Sequence, residues 1–359
     1  MHIIFQNNYA EAREMIIDTF LSANTANGFV SLYGDFLKGK KQYIIKGGPG
    51  TGKSTMMKNI GAFAENEGED VEYIRCSSDP DSLDGVWLKA RNIAVCDGTA
   101  PHIIEPENVG CMGGIIGLTE CWDEKALSEA TEEILTVKAR TANAYRSAYG
   151  YLEAAGKIFE TTFASAVEAS GDAIKKTASE FCGTFLKTKK KKPDPTDETR
   201  FISTFSHKGA TAYYGTIETL ADRILTLPYA CGAADLAIEE IRDEARSKGY
   251  GTIGFSDPML PKHLMGAVFP SERLAVIAFN PAFESEEDRE YDAFRGSYLT
   301  DITDGAADGV YGMLFEQATD RFKTAKAHHD VLERIFIKNM DFEKVGRITA
   351  SLMTRIFSE

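Results

Sequence analysis

The stretch Tyr43-Ile-Ile-Lys-Gly-Gly-Pro-Gly-Thr-Gly-Lys-Ser-Thr55 decides the fold of this 359-residue chain. Its residues from Gly47 to Ser54 fit the pattern G-x-x-x-x-G-K-[ST]. The apolar residues before the glycines predict a buried strand, while Met56 and Ile60 after them recur at helical spacing. Strand, glycine loop and helix therefore follow one another in the order that a phosphate-binding loop requires.

The residue types of this loop suit a nucleoside triphosphate. Glycines let the backbone curl until N–H groups converge on phosphate oxygens, and the N-terminus of the following helix adds partial positive charge. Lys53 is expected to pair with the β- and γ-phosphates, and Ser54 to offer a hydroxyl to Mg²⁺, which prefers oxygen ligands. The alternative is a fortuitous glycine turn. The expected nucleotide contacts are Gly47, Gly48, Pro49, Gly50, Thr51, Gly52, Lys53, Ser54 and Thr55.

A second metal-binding carboxylate is expected at the end of a buried strand. The run Ile93-Ala-Val-Cys-Asp97 is apolar up to its final aspartate, which places Asp97 at the ligand-binding edge of a parallel sheet. Asp97 is predicted to hold the water shell of Mg²⁺; alternatively, it caps a turn. Gly98 stands where many motor-type ATPases carry a glutamate base. Thr99 and His102 follow, either as γ-phosphate contacts or as structural residues.

The loop Ser77-Ser-Asp-Pro-Asp-Ser-Leu-Asp84 follows a predicted strand, Val71–Cys76, and should open at the same edge. Asp79 or Asp81 would there orient the attacking water or bind an acceptor substrate. The same residue types also start short helices, so a capping role is an equal alternative.

The chain contains an internal repeat. An offset of 181 aligns eight identical residues without a gap, beginning with Phe20 on Phe201. Later features recur in the same order, such as Ser78-Asp-Pro80 and Ser256-Asp-Pro258. This order predicts two homologous halves. The alternative is two unrelated α/β domains that share common pieces.

The length also suits two domains. We predict a first domain at 1–186, with a helical arm over about 123–186, and a linker at 187–199. The second domain, 200–359, ends in its own helical arm from about Leu314. The predicted fold class is α/β, with two tandem P-loop NTPase-like domains that have parallel sheets and a helical extension each.

The second half has lost its phosphate chemistry. Under the offset, Lys53 falls on Ala234 and Ser54 on Asp235, while Asn280, a neutral residue, follows the strand that matches the one ending at Asp97. A carboxylate repels a triphosphate where a hydroxyl is expected. We therefore predict one active half and one degenerate half, which acts as a regulator, a lid or a site for another ligand.

Composition narrows the class of protein. With 43% apolar and 26% charged residues, and no long apolar run, the chain is neither disordered nor an integral membrane protein. A net charge of −14 argues against a nucleic-acid partner. Six scattered cysteines and an N-terminus without signal-peptide features predict a cytoplasmic protein with reduced thiols. The run Lys189–Lys192 is predicted to be a solvated linker, with contact to a membrane surface or RNA as the alternative.

These motifs resemble those of a bacterial family of tandem-repeat P-loop proteins classed as ATPases. The stretches that carry the resemblance are Tyr43–Thr55, Cys76–Asp84, Ile93–His102 and Gly117–Asp123. It covers nearly the whole chain and implies two P-loop domains with helical extensions, with ATP bound at Lys53, Ser54 and Asp97. Members of that family also carry a P-loop in the second half, where this chain departs from them.

The leading functional prediction is an Mg²⁺-dependent ATP hydrolase whose cycle moves one half against the other. Its expected catalytic residues are Lys53, Asp97 and Asp79, its metal ligands are Ser54 and Asp97, and its cofactors are ATP and Mg²⁺. The first alternative is a small-molecule or nucleotide kinase whose Asp79–Asp84 loop binds the acceptor. The second is a non-hydrolysing, ATP-gated binding module. No protein partner follows from the sequence.

Overall fold

The computed structural model describes residues 15–101, 103–283, 291–300, 302 and 305–358, with only the backbone at 305–308. Within these ranges the chain forms two six-stranded mixed sheets with helices around them, so the predicted α/β class is confirmed. His102, a predicted γ-phosphate contact, lies outside the described residues.

The first half consists of strands with two helices among them, followed by a long helical arm. Its strands are β1 (Ile16–Thr19), β2 (Ser22–Thr25), β3 (Gly28–Ser31), β4 (Lys41–Lys46), β5 (Val71–Arg75), β6 (Leu83–Leu88), β7 (Ile93–Asp97) and β8 (Gly113–Gly117). Its helices are α1 (Tyr33–Phe36), α2 (Lys53–Asn66), α3 (Glu124–Glu129), α4 (Thr131–Ser170) and α5 (Ala173–Phe185).

The second half repeats this order. Its strands are β9 (Asp197–Arg200), β10 (Ser203–Ser206), β11 (Gly209–Ala212), β12 (Arg223–Leu227), β13 (Thr252–Ser256), β14 (Leu264–Phe269), β15 (Leu274–Ala278) and β16 (Asp292–Ala293). Its helices are α6 (Gly215–Leu220), α7 (Ala233–Ser247), α8 (Gly305–Lys338) and α9 (Phe342–Phe357). Short 3₁₀ turns lie at Thr119–Cys121, Ala230–Gly232, Pro270–Glu272 and Pro281–Phe283.

The two sheets have the same strand order. The first runs β1-β5-β6-β7-β4-β8, and the second runs β9-β13-β14-β15-β12-β16. In both, one strand, β6 or β14, is antiparallel to its two neighbours, and the other pairs are parallel. The prediction of parallel sheets is therefore wrong at β6 and β14. The physical reason is the short connection Lys89–Asn92 between β6 and β7, because parallel neighbours need a crossover of a dozen or more residues.

The helical arms cross between the halves. α4 and α8 pack against each other along their length. Ile174 and Phe181 of α5 join the core beneath the second sheet, where they meet Ile238 of α7. Conversely, Val345 and Leu352 of α9 belong to the core beneath the first sheet, together with residues of α2. Each sheet therefore completes its core with a terminal helix from the other half of the chain.

The lysine-rich segment runs along the surface of the second half. Lys190 is half-buried: it pairs with Glu272, and its ammonium lies 4.6 Å from the ring centroid of Tyr250. The other lysines of the segment, Lys187, Lys189, Lys191 and Lys192, are exposed. β9 begins at Asp197, so the last residues of the predicted linker are part of the second sheet.

In the described parts of the chain, no helix combines the length and apolar character that crossing a bilayer requires.

Candidate functional site

The glycine loop, Gly47–Gly52, connects β4 to the N-terminus of α2. Gly50 and Gly52 have φ angles of +67° and +86°, in the left-handed region that favours glycine. The hydroxyl of Thr51 donates to the carbonyl oxygen of Gly48 at 2.9 Å and braces the turn. Because Gly52 caps α2 without a side chain, the first N–H groups of the helix remain available to an anion.

Lys53 and Asp97 come together beside this loop, as the sequence predicts. The Lys53 ammonium donates to the carbonyl oxygens of Gly48 and Gly47 at 2.6 and 3.0 Å, and lies 3.5 Å from Oδ2 of Asp97. Their meeting follows from the sheet, because β7 is the direct parallel neighbour of β4 and pairs Asp97 with Ile45. The two carboxyl ends therefore reach the same edge.

Asp97 is held by Thr99 and buried among charges. The backbone N–H of Thr99 donates to Oδ1 of Asp97 at 2.8 Å, and the Thr99 hydroxyl lies 2.5 Å from the same atom. Burial raises the pKa of Asp97; the charge of Lys53 and the bonds from Thr99 oppose this shift, and the nearby Asp84 adds to it. A cation next to Asp97 would be favoured, because it would stabilise the ionised form.

Asp84 is a site residue that the sequence interpretation missed. It is the second residue of β6 and is almost fully buried. The pairing of Gly85 with Cys96 brings Asp84 level with Asp97 on the adjacent strand. Ser54 lies on the same side, since its hydroxyl oxygen accepts from the backbone N–H of Leu83 at 3.0 Å. Asp and Gly are uncommon in strands, which is why this segment looked like a loop, although the apolar residues at its other positions were a usable signal.

Asp79 contacts helix α8 of the second half. Its Oδ2 lies 3.5 Å from the ammonium of Lys326 and accepts from the hydroxyl of Ser82 at 3.4 Å. Asp81 pairs with Lys208 at 2.7 Å, also across the halves. The predicted catalytic carboxylate Asp79 is therefore part of the contact between the halves.

Helix α8 of the second half lies directly against the glycine loop. A Cβ atom at Gly50 would lie 2.9 Å from the carbonyl oxygen of Glu333, and one at Gly48 would lie 3.1 Å from the Phe336 ring. Trp122 packs beside Phe336, with ring centroids 5.7 Å apart. No local sequence motif predicts this contact, because the residues of α8 lie almost 300 positions after the glycine loop in the sequence.

The face of α8 near the loop carries several charges. Lys326 pairs with Asp330 at 2.5 Å, and Nε2 of His329 lies 3.6 Å from Oε1 of Glu333. A hydrogen bond from His329 lowers the pKa of Glu333, and the charges of Lys326 and Lys53 act in the same direction. His329 and the two lysines therefore favour the ionised form of Glu333.

The corresponding loop of the second half is filled by apolar side chains. A Cβ at Gly232 would lie 2.9 Å from Leu260 and 3.1 Å from Phe163 of α4. Behind it, Asp235 is fully buried, and neither carboxyl oxygen has a hydrogen-bond partner among the described residues. Burial and the nearby Asp257 raise the pKa of Asp235 well above its usual range. The buried surroundings of Asp235 therefore favour a neutral carboxyl group and disfavour a phosphate.

Asp257 corresponds to Asp79 in the repeat but has different partners. It accepts from the hydroxyl of Tyr229 at 3.2 Å and from the side-chain amide of Asn280 at 3.1 Å. Ala278 stands at the strand end where the first half has Asp97, and Asn280, two residues further on, is a structural donor.

No protein-family model, curated protein or solved structure matches this chain. Its function has to be inferred from the geometry of the two loops.

Proposed function

We propose that the first half binds Mg-ATP at the glycine loop and hydrolyses it, as a P-loop ATPase. The observation that carries the proposal is the left-handed pair Gly50 and Gly52 at the N-terminus of α2, with Lys53 3.5 Å from Asp97. Phosphate binding to P-loops uses such a helix N-terminus together with the loop lysine.

Lys53 is positioned to serve the phosphates. Its ammonium contacts the carbonyl oxygens of Gly47 and Gly48, so it lies at the mouth of the loop and is only 11% exposed. A triphosphate would offer it stronger, charge-assisted hydrogen bonds than neutral carbonyls do. Lys53 would then bind the β- and γ-phosphates.

The donor atoms fit Mg²⁺. Ser54 offers a hydroxyl oxygen, and Asp97 and Asp84 offer carboxylates that repel each other without a cation. Hard oxygen ligands of this kind are those that Mg²⁺ prefers. When bound, the metal would neutralise charge on the phosphates. Ser54 and Asp97 remain the proposed ligands, and Asp84 joins them as a third oxygen donor close to the metal.

The second half is proposed to be degenerate and to bind no triphosphate. Gly232 caps α7 as Gly52 caps α2, so Ala233 and Ala234 stand where Lys53 and Ser54 do and offer neither an ammonium nor a hydroxyl. Phe163 and Leu260 fill the loop. Its role is then to supply α8 and α9 to the active half.

Two other functions remain as proposals, a kinase and a non-hydrolysing binding module. Gly98 stands where a hydrolase often carries its base, which favours a kinase that activates an acceptor near Asp79. The close contact between α8 and Gly50 favours a module that binds ATP and responds without hydrolysing it.

Equilibrium dialysis with a labelled, non-hydrolysable ATP analogue tests the binding site. We expect one Mg²⁺-dependent site per chain, lost in Lys53→Ala. Lys58→Ala is the matched control, because Lys58 is an exposed lysine on the same helix. Two sites, or retained binding in Lys53→Ala, would contradict the proposal.

Phosphate release measured without added substrate then separates the reactions. Steady release that depends on Mg²⁺ supports the hydrolase. ADP formation that begins only on addition of a metabolite supports the kinase, and binding without either product supports the module.

A further inference from the structure

Charged side chains of the two halves interact electrostatically, and some of them belong to α8, the helix that lies against the glycine loop. Asp97 lies 3.5 Å from Lys53, and the charge of Lys53 acts on Glu333. Glu333 in turn interacts with Lys326, which lies 3.5 Å from Asp79. The two lysines of this series come from different halves, and both lie within the influence of Glu333.

Lys326 is held in place by more than one partner. Asp330, one turn further along α8, lies 2.5 Å from its ammonium, and Asp79 reaches it from the first half. Its side chain is only 24% exposed. A pair between neighbours on one exposed helix face contributes little to stability. The contact with Asp79 instead directs the ammonium towards the first half.

The two arms of the chain provide an internal comparison. They pack in equivalent ways: Phe336 of α8 lies against Gly48, while Phe159 of α4 stacks on Tyr229, the residue that the offset places on Gly48. The ring centroids of that stack are 6.2 Å apart. The two helices therefore cover the two loops in the same manner.

The side chains they present differ. The repeat aligns Phe322 with Tyr145, which places Tyr149 at Lys326 and Gly156 at Glu333. Tyr149 has a structural contact, because its hydroxyl donates to Oδ1 of Asn24 at 2.7 Å. Lys326 and Glu333 therefore occur on α8, the helix that covers the loop containing Lys53. They have no counterparts on α4, the helix that covers the other loop. Helix packing alone does not require them.

We propose that Lys326, supplied by the second half, is the residue that distinguishes a nucleoside triphosphate from a diphosphate in the first-half site. On binding, its ammonium exchanges Asp79 for the terminal phosphate, while Lys53 serves the phosphates common to both nucleotides. This inference rests on the function proposed above. It makes α8 the element that reports the state of the nucleotide, because loss of the terminal phosphate returns Lys326 to Asp79.

Calorimetric titration of the full chain with Mg-bound ATP analogue and with Mg-bound ADP tests the assignment. Lys326→Gln is expected to weaken binding of the analogue about tenfold or more, the worth of a charge-assisted hydrogen bond, and to leave ADP affinity within about twofold. Lys323→Gln is the control, since Lys323 is 61% exposed on the same helix and pairs with Asp320. It should change neither affinity.

Equal losses for both nucleotides, or no loss, would overturn the inference. Lys326→Arg keeps the charge and should retain the preference, and an unchanged ADP affinity of Lys326→Gln excludes misfolding as the cause of its loss. The two proposals fail separately. If Lys53→Ala still binds the analogue, the proposed function is wrong; if Lys53→Ala abolishes binding and Lys326→Gln keeps the preference, only the role of Lys326 is wrong.

Discussion

Phe20 and Phe201 donate their backbone N–H groups to each other's carbonyl oxygens, at 2.9 Å from Phe201 and 2.8 Å from Phe20. They are 181 positions apart, the offset that aligns the two halves of the sequence. A reciprocal contact between equivalent residues is what a two-fold axis produces in a symmetric dimer. The two halves of this chain therefore meet as the subunits of such a dimer do, around an axis between these phenylalanines.

Truncating one of these rings should weaken the contact between the halves. Phe201 is fully buried with Phe20 and Ala23. We expect Phe201→Ala to lower the free energy of unfolding by about 3–5 kcal/mol, through lost burial and the cavity that remains. Urea denaturation measures this change. Phe63→Ala removes a ring that is 40% exposed and should cost less than half as much; an equal cost would contradict the central role of Phe201.

A buried ion pair also crosses between the halves. Nε of Arg200 on β9 lies 2.6 Å from Oε1 of Glu72 on β5, and both side chains are 2% exposed. Burial alone would raise the pKa of Glu72, but the charges of Arg200 and Lys89 and the hydrogen bonds from Arg200 and Thr19 together hold that pKa below its usual range. Thr19 donates a further hydrogen bond to the carboxylate at 2.7 Å.

Breaking this pair from one side should cost more than removing both charges. Arg200→Met leaves Glu72 charged and buried, so we expect a loss of about 3–5 kcal/mol in the free energy of unfolding. The double variant with Glu72→Gln should recover much of this loss, because no buried charge is left unpaired. Chemical denaturation of the single and double variants gives the comparison. A double variant as unstable as Arg200→Met would show that packing of the arginine dominates.

The glycine loop offers a test of backbone conformation. Gly50 has a φ of +67° and lies against the Glu333 carbonyl, so an alanine there meets both strain and a backbone clash. We expect Gly50→Ala to lose binding of the ATP analogue and to lower the melting temperature. Gly117→Ala, at an open position on β8, should leave both unchanged. Unaltered binding in Gly50→Ala would mean that α8 moves away from the loop without cost.

The sequence and the structure agree on those site residues whose positions follow from the local succession of strand, loop and helix. Lys53 is identified by its spacing from the glycines, and Asp97 by the apolar strand before it, so their meeting could be predicted from the sequence. Asp84 could not, because Asp and Gly near the start of β6 contradict strand propensities, and this strand is held in place by its neighbours. Lys326 and Glu333 lie on the long helix α8, and the packing between the halves determines which part of the protein this helix contacts. Periodicity predicts such a helix without indicating what it covers.

Asp235 makes the stability of the second half depend on pH. Its pKa is raised well above the ordinary value because the carboxyl is buried, has no hydrogen-bond partner among the described residues, and lies near the charge of Asp257. The folded protein therefore keeps a proton that the unfolded chain releases near pH 4. Stability contributed in this way is complete below that pH and falls as pH rises towards the folded pKa, by at most about 1.4 kcal/mol per pH unit.

Asp235→Asn removes the ionisation and keeps the shape of the side chain. We expect the variant to be more stable than the wild type at pH 7, with the difference in free energy of unfolding shrinking as pH falls from 8 to 5. Urea denaturation at several pH values measures it. Asp243→Asn, on the exposed side of the same helix, should follow the wild type at every pH. A difference between Asp235→Asn and wild type that does not vary with pH would mean that Asp235 is ionised in the folded protein.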